Sequence, residues 1–218
     1  MTVCFQNRTE AGQLLAKKLS VYANRSDVIV LALPRGGVPV ARVVAETLGV
    51  PLDVLVVRKL GVPGNEELAM GAIAAGGLQV LNRHVLDNWG VTSADVAAAV
   101  ADELPELVRR ERVYRHGRAP LELHNHTVIL VDDGIATGSS MRTAIAVLHA
   151  MRAGRIVVAA PVTARESFME LRNLVSEFVT LSMPKNFEKI SRFYVDFRKP
   201  AYAEVRQILA AERRLQHA

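Results

Sequence analysis

The feature of this sequence that most limits its fold is the alternation of short apolar segments, rich in β-branched residues, with segments of helical periodicity. Such alternation predicts strand–helix–strand units, and these units build a mainly parallel sheet with helices packed against it. The predicted strands cover residues 28–33, 52–57, 128–131, 156–162 and 178–181. We therefore predict an α/β fold, and a length of 218 residues favours a single domain over residues 1–218.

Composition narrows the class of protein and of partner. The chain is 50% hydrophobic and 22% charged, which excludes intrinsic disorder. Its net charge of +5 fits an anionic small ligand, and without a basic patch interleaved with aromatic residues it argues against nucleic acid as a partner. No apolar run approaches the roughly 18 residues of a membrane span, and the single cysteine, Cys4, indicates a reducing compartment. We expect a cytoplasmic protein that does not bind membranes.

Three segments depart from the alternation. Residues 83–118 have helical periodicity throughout, so they predict a helical insertion with a kink or break near Pro105. Gly76 and Gly77 separate two short apolar segments, which predicts a β-hairpin. Residues 58–70 show neither helical nor strand periodicity and contain Gly61, Pro63 and Gly64, so they predict a long mobile loop.

The most informative motif follows the predicted strand 128–131. Asp132 and Asp133 come directly after it, at the carboxyl edge of the sheet, where open α/β sheets bind ligands. Small and hydroxylated residues then open a helix, and their backbone N–H groups and hydroxyls can hold a phosphate. These residues are Ala136, Thr137, Gly138, Ser139 and Ser140. Two carboxylates suit the two hydroxyls of a ribose, so the segment predicts a sugar-phosphate site.

Two familiar nucleotide-binding motifs do not account for this segment. It lacks the lysine of G-x-x-x-x-G-K-[ST], which excludes that type of nucleoside triphosphatase. No G-x-G-x-x-G opens a helix, which weakens the case for a dinucleotide site. The remaining alternative is a capped helix after a solvated acidic turn, but turn chemistry does not require this whole series of residue types.

Two further segments predict an anion site. Gly36 and Gly37 follow the first predicted strand and let the backbone approach a ligand closely, and Arg35 adds a planar fork that matches phosphate geometry. Arg58 and Lys59 lie at the end of the second strand. Each feature alone is also typical of a solvated turn or sheet edge. They are evidence for an anion site because of their position in the sequence relative to the acidic motif.

Together these segments resemble the type I phosphoribosyltransferase family, whose signature is an apolar strand, two acidic residues and a Thr-Gly-rich phosphate loop. The resemblance implies that Asp132 and Asp133 contact the ribose hydroxyls of 5-phosphoribosyl-1-pyrophosphate and that residues 136–140 hold its 5′-phosphate. Residues 33–37 look like the family's pyrophosphate loop, for which a cis peptide between Pro34 and Arg35 is expected. The resemblance covers most of the chain except residues 83–118, and it is strongest to a bacterial subgroup.

The resemblance also implies a reaction. A nitrogenous base would displace pyrophosphate from the ribose, with Asp132, Asp133 and Lys59 as catalytic residues. Arg35, Gly36, Gly37, Arg58 and Lys59 would bind the pyrophosphate. Mg²⁺ would be the cofactor, with Asp132 or Asp133 in its outer shell, and a homodimer is compatible with the family. The alternative is a regulator that binds 5-phosphoribosyl-1-pyrophosphate without turnover.

The acceptor base would lie under a small hood that includes residues 183–200. Lys185, Phe193 and Tyr194 are the predicted base-binding residues of this segment. The alternation of apolar residues at 193, 195 and 197 is equally typical of core residues on a strand. In purine-salvage members of the family a lysine follows a similar proline two residues later, whereas Lys185 follows Pro184 directly, which argues against recognition of an oxopurine.

Overall fold

The computed structural model describes residues 4–115, 118 and 120–215. Its strands, in chain order, are β1 (Val28–Ala32), β2 (Leu52–Val54), β3 (Val57–Val62), β4 (Asn65–Ala74), β5 (Leu78–Leu81), β6 (Thr127–Val131), β7 (Arg155–Val162) and β8 (Glu177–Ser182). Its α-helices are α1 (Arg8–Lys18), α2 (Gly37–Leu48), α3 (Arg83–Trp89), α4 (Ser93–Arg115), α5 (Ser139–Ala150), α6 (Arg165–Leu171) and α7 (Tyr202–Leu215). The predicted strands are confirmed to within one residue at each end, except that the predicted strand 52–57 ends at Val54 and residues 57–70 belong to β3 and β4.

The central sheet is parallel and has the order β2-β1-β6-β7-β8. Successive side chains of its strands pack against opposite layers. Val30, Ile129 and Val157 belong to the core beneath α1 and α2, whereas the next residue of each strand belongs to the core beneath α5. Because both faces are covered, these strands have continuous apolar runs. The predicted α/β class is confirmed.

The strand order places a crevice between β1 and β6. The chain leaves β1 toward one edge of the sheet, through α2 and β2, and leaves β6 toward the other edge, through α5 and β7. Ala32 pairs with Val131, so Leu33 and Asp132 leave the sheet side by side. In open α/β sheets, ligands bind at such a switch point, outside the carboxyl ends of the strands.

A second sheet corrects the prediction of a long loop over residues 58–70. β3 and β4 pair antiparallel across a turn at Pro63 and Gly64, with register shifts on both sides of Gly61. A Cβ at Gly61 would meet the Cα of Glu66 at 2.7 Å, so the close approach of the two strands requires glycine there. The register shifts interrupt the alternation of side chains between the two faces of the strand. The sequence pattern therefore does not predict a strand here.

The other hairpin and the helical insertion agree better with the sequence. β4 and β5 pair antiparallel across residues 75–77, and Gly76 and Gly77 both have positive φ, so this hairpin is confirmed. The insertion contains α3 and α4, and residues 116 and 117 lie outside the described residues. A break at Pro105 does not occur, since α4 continues through it. Proline has no N–H, so the carbonyl oxygen of Ala101 lacks its helical hydrogen bond. Pro105 and Ala101 are exposed, so water can bond that carbonyl instead.

A buried charge cluster fastens the end of the insertion to the central sheet. Asp53 on β2 lies 3.2 Å from Arg115 Nη2 and 3.0 Å from Arg118 Nη1. All three side chains are at most 11% exposed. Among the described residues, no helix combines the length and the apolar character that crossing a bilayer requires.

We expect Asp53→Ala to lower the free energy of unfolding by about 3–5 kcal/mol, because it leaves two buried guanidinium groups without their carboxylate. Urea denaturation measures this loss. Glu46→Ala is the control, since Glu46 pairs with Arg42 on the exposed surface of α2, and such pairs contribute about 0.3–0.5 kcal/mol. Similar losses in the two variants would contradict the structural role of Asp53.

Candidate active site

A cavity of about 330 Å³ lies at the carboxyl edge of the central sheet, beside the crevice between β1 and β6. All three predicted motifs contribute to its lining. Among the lining residues are Pro34, Arg58, Lys59, Asp132, Ser139 and Ser140. These residues are far apart in the sequence, and the strand order brings them together.

The glycine loop after β1 packs directly on the acidic motif. A Cβ at Gly36 would lie 2.1 Å from Oδ2 of Asp133, and one at Gly37 would lie 2.6 Å from the carbonyl oxygen of Val131. Both glycines are therefore required by space. The peptide between Pro34 and Arg35 is cis, as predicted. The guanidinium of Arg35 lies 4.5 Å from the ring centroid of Tyr202, so this side chain lies against α7.

The two aspartates have different environments. Asp132 lines the cavity, and its Oδ1 accepts a hydrogen bond from the backbone N–H of Asp133 at 2.8 Å. Asp133 is 6% exposed, and its Oδ2 accepts hydrogen bonds from Arg8 Nε at 2.9 Å and Nη2 at 2.7 Å. The sequence predicts that both carboxylates contact the ribose. In the structure Asp132 is among the residues that line the cavity and Asp133 is not.

Arg8 is a site residue that sequence reasoning missed. It lies on α1, 125 residues from Asp133 in the sequence, and is 8% exposed. Its Nη1 donates to the carbonyl oxygen of Arg198 at 2.9 Å, and its guanidinium carbon lies 4.1 Å from the ring centroid of Phe197. No local pattern distinguishes this arginine from the other basic residues of the chain.

Burial and mutual charge shift the proton affinities of the acidic pair. Burial raises the pKa of Asp132 well above its usual range, and the charge on Asp133 raises it further. Burial also raises the pKa of Asp133, whereas the guanidinium of Arg8 opposes that rise. The carboxylate of Asp132 is therefore a group that a bound cation or hydrogen-bond donor would stabilise.

The loop from residue 134 to 138 leads into the N-terminus of α5. Ile135 bridges to Thr163 beyond β7, and the Ser167 hydroxyl donates to the carbonyl oxygen of Ala136 at 2.5 Å, so the first half of the loop is fixed. Gly138 has a φ of 73° and caps α5. The first N–H groups of a helix lack intrahelical partners and carry partial positive charge. Ser140 and Thr137 are exposed beside them.

The basic pair approaches the cavity from β3. Arg58 Nε donates to Oε2 of Glu103 at 2.5 Å, and Lys59 Nζ donates to the carbonyl oxygen of Glu67 at 3.2 Å. The side chains of Arg58 and Lys59 are each 27% exposed. Glu103 and Arg110, both on α4, also line the cavity. Sequence reasoning missed these two residues, because on a charged helix they have no distinguishing signal.

The predicted base-binding residues of the hood are not among the residues that line the cavity. Phe193 and Tyr194 are 3% and 5% exposed and pack in a core cluster with Phe5. The Tyr194 hydroxyl donates to the carbonyl oxygen of Asp133 at 2.6 Å. The prediction that these rings stack on a base is wrong for this structure, since other side chains cover them. The alternative of core residues on a strand is confirmed only for the burial of these two rings, because Phe193 ends a 3₁₀ helix and Val195 is 67% exposed. Lys185 is exposed.

A protein-family model described as "Phosphoribosyl transferase domain" matches residues 6–198. Two curated Mycobacterium tuberculosis proteins, from strains CDC 1551 / Oshkosh and ATCC 25618 / H37Rv, are each named "Putative phosphoribosyl transferase" and are 40% identical over 201 residues. The matches cover 92% of this chain and 45% of each relative, so the chain spans about half the length of these relatives. The crystal structure of TT1426 from Thermus thermophilus is 38% identical, with a TM-score of 0.89, over 96% of this chain and 99% of that one.

We expect the two aspartates to affect stability in opposite directions at pH 8. Asp132→Asn should raise the free energy of unfolding, because it removes a carboxylate whose charge is disfavoured by burial and by Asp133. A raised folded-state pKa penalises the wild type increasingly as pH rises, so this gain should shrink toward acidic pH.

Asp133→Asn should instead lower the free energy of unfolding by about 1.5–3 kcal/mol, because Arg8 loses charged hydrogen bonds. Urea denaturation of both variants at pH 5 and pH 8 checks the two signs. Equal destabilisation by both substitutions at pH 8 would contradict the different environments of the two carboxylates.

Proposed function

This chain belongs to the phosphoribosyl transferase family, and from that premise we propose that it transfers a phosphoribosyl group from 5-phosphoribosyl-1-pyrophosphate to a nitrogenous base. The observation that carries the proposal is the single cavity lined by residues of all three motifs. The names of the curated relatives support the general activity. That the acceptor is a nitrogenous base is part of this proposal. We also propose that the protein works in the cytoplasm.

We assign the three parts of the substrate to three groups of residues in and beside the cavity. The loop before α5 would hold the 5′-phosphate, through the helix N–H groups and the hydroxyls of Thr137, Ser139 and Ser140. Asp132 would accept hydrogen bonds from the ribose hydroxyls. Arg58, Lys59 and the backbone beside Gly36 would bind the pyrophosphate, as cations and N–H groups bind phosphate oxygens.

In the proposed reaction, the lone pair of a base nitrogen forms a bond to C1 of the ribose. The bond between C1 and the pyrophosphate oxygen breaks, its electron pair leaves with pyrophosphate, and the proton of the base nitrogen passes to solvent. Negative charge develops on the leaving group, and cations fixed in place stabilise that charge most in the transition state. Lys59 and Arg58 line the cavity, and we assign this role to them.

The residues present fit a magnesium ion that arrives with the substrate. Mg²⁺ prefers oxygen ligands and is commonly held by one or two carboxylates together with substrate phosphates and waters. Asp132 would supply such a carboxylate at the cavity, where burial and the charge of Asp133 raise its pKa. The described residues contain no cluster of three potential metal ligands, so substrate oxygens would complete the coordination. When bound, Mg²⁺ would neutralise charge on the leaving pyrophosphate.

The proposal is tested by incubating the protein with Mg²⁺, 5-phosphoribosyl-1-pyrophosphate and a panel of nitrogenous bases while pyrophosphate release is measured. Base-dependent release supports a transferase. Calorimetric binding of 5-phosphoribosyl-1-pyrophosphate without release for any base would favour the regulator instead. Absence of both binding and release would overturn the proposal.

We expect Asp132→Asn to weaken binding of ribose 5-phosphate by tenfold or more, because charged hydrogen bonds contribute about 1.5–3 kcal/mol. Isothermal titration calorimetry measures the affinity. Asp196→Asn serves as the control, since Asp196 is exposed in the segment after Tyr194 and is not among the residues that line the cavity. Unchanged affinity in Asp132→Asn would refute the contact with the ribose.

We expect Lys59→Ala to reduce turnover by about 100-fold, the effect typical of losing one charge-stabilising group at a reacting centre. The affinity for ribose 5-phosphate should change little, because the phosphate loop lies on a different element. Steady-state kinetics and calorimetry separate the two effects. Lys189→Ala, at an exposed position, should retain wild-type turnover, and an equal loss in both variants would remove the role of Lys59.

A further inference from the structure

One face of α4 forms a wall of the cavity. Glu103 and Arg110 both line it, and they are seven residues apart, close to two turns of an α-helix. Leu107, which lies between them on the same face, is 1% exposed. The insertion is therefore packed against the site along a stripe of its surface, with one acidic and one basic side chain at the cavity.

Both charged side chains are held by specific contacts. Glu103 Oε2 accepts from Arg58 Nε at 2.5 Å and lies 2.5 Å from Arg58 Nη2. Arg110 Nε donates to Oε1 of Glu106 at 2.6 Å, one turn earlier on the helix. Arg110 is thus oriented from its own helix, whereas Arg58 is oriented across the cavity wall by a residue of the insertion.

The charges at the cavity favour an anion. Its lining contains three cationic side chains, Arg58, Lys59 and Arg110, and two carboxylates, Asp132 and Glu103. The cations come from two elements, β3 and α4. A multiply charged leaving group at this end would meet cations on two sides.

We propose that the helical insertion completes the pyrophosphate end of the site, with Arg110 as a third cation that contacts pyrophosphate and Glu103 as a positioning residue that holds Arg58. This inference rests on the proposed function, since it assigns pyrophosphate to that end of the cavity. It gives the insertion a role in binding the leaving group.

The role of Arg110 is tested by calorimetric titration of the full chain with inorganic pyrophosphate and Mg²⁺. Arg110→Ala should weaken pyrophosphate binding about tenfold, whereas ribose 5-phosphate affinity should be unchanged. Arg112→Ala is the matched control, because Arg112 is exposed on the same helix and does not line the cavity. Equal pyrophosphate affinity in Arg110→Ala and the wild type would overturn this role.

The role of Glu103 is tested by a double-mutant cycle with Glu103→Ala, Arg58→Ala and the double variant. If Glu103 acts through Arg58, Glu103→Ala should weaken pyrophosphate binding several-fold, and the double variant should bind no more weakly than Arg58→Ala. Asp102→Ala, at an exposed neighbouring position, should bind as the wild type does. Additive losses, or tighter binding in Glu103→Ala, would overturn the positioning role.

The same titrations separate this inference from the proposed function. If the wild type binds neither pyrophosphate nor ribose 5-phosphate, the proposed function fails. If the wild type binds both and the α4 variants bind pyrophosphate as the wild type does, only the role of the insertion fails. Circular dichroism spectra that match the wild type ensure that each variant is folded, and ribose 5-phosphate binding provides a second check on the integrity of the site.

Discussion

The buried ion pair between Arg8 and Asp133 organises the edge of the sheet on which the site is built. Two nitrogens of Arg8 bond one oxygen of Asp133, and a third bonds the carbonyl oxygen of Arg198. A buried charge is tolerated when it is paired and hydrogen-bonded. The pair therefore joins α1, the end of β6 and the segment before α7, and it keeps Asp133 away from the cavity.

Because Asp133 is engaged in this way, Asp132 is the carboxylate available at the cavity. Space is equally restricted on the other side of Asp133, where a Cβ at Gly36 would nearly coincide with its carboxylate. The glycine loop after β1 and the acidic motif after β6 thus fit each other only with these residue types. The register between the two strands, which pairs Ala32 with Val131, brings them to this contact.

Two ionic contacts of the helical insertion have different consequences. At its end, Arg115 and Arg118 surround Asp53 on β2, which anchors it to the central sheet. Along its length, Glu103 meets Arg58 at the cavity. The sequence indicates that the helical insertion is an addition to a minimal fold. In the structure the insertion forms part of the cavity wall.

The sequence by itself determined the α/β class, the acidic and glycine motifs, and the hairpin at Gly76 and Gly77. Each of these depends on local periodicity or turn chemistry, which a short segment specifies. Only the tertiary structure decided which aspartate lines the cavity, that Phe193 and Tyr194 are covered, that Arg8 pairs with Asp133, and that Glu103 and Arg110 line the cavity. These depend on contacts across long sequence separations, 125 residues for Arg8 and Asp133, which leave no periodic signal in either partner.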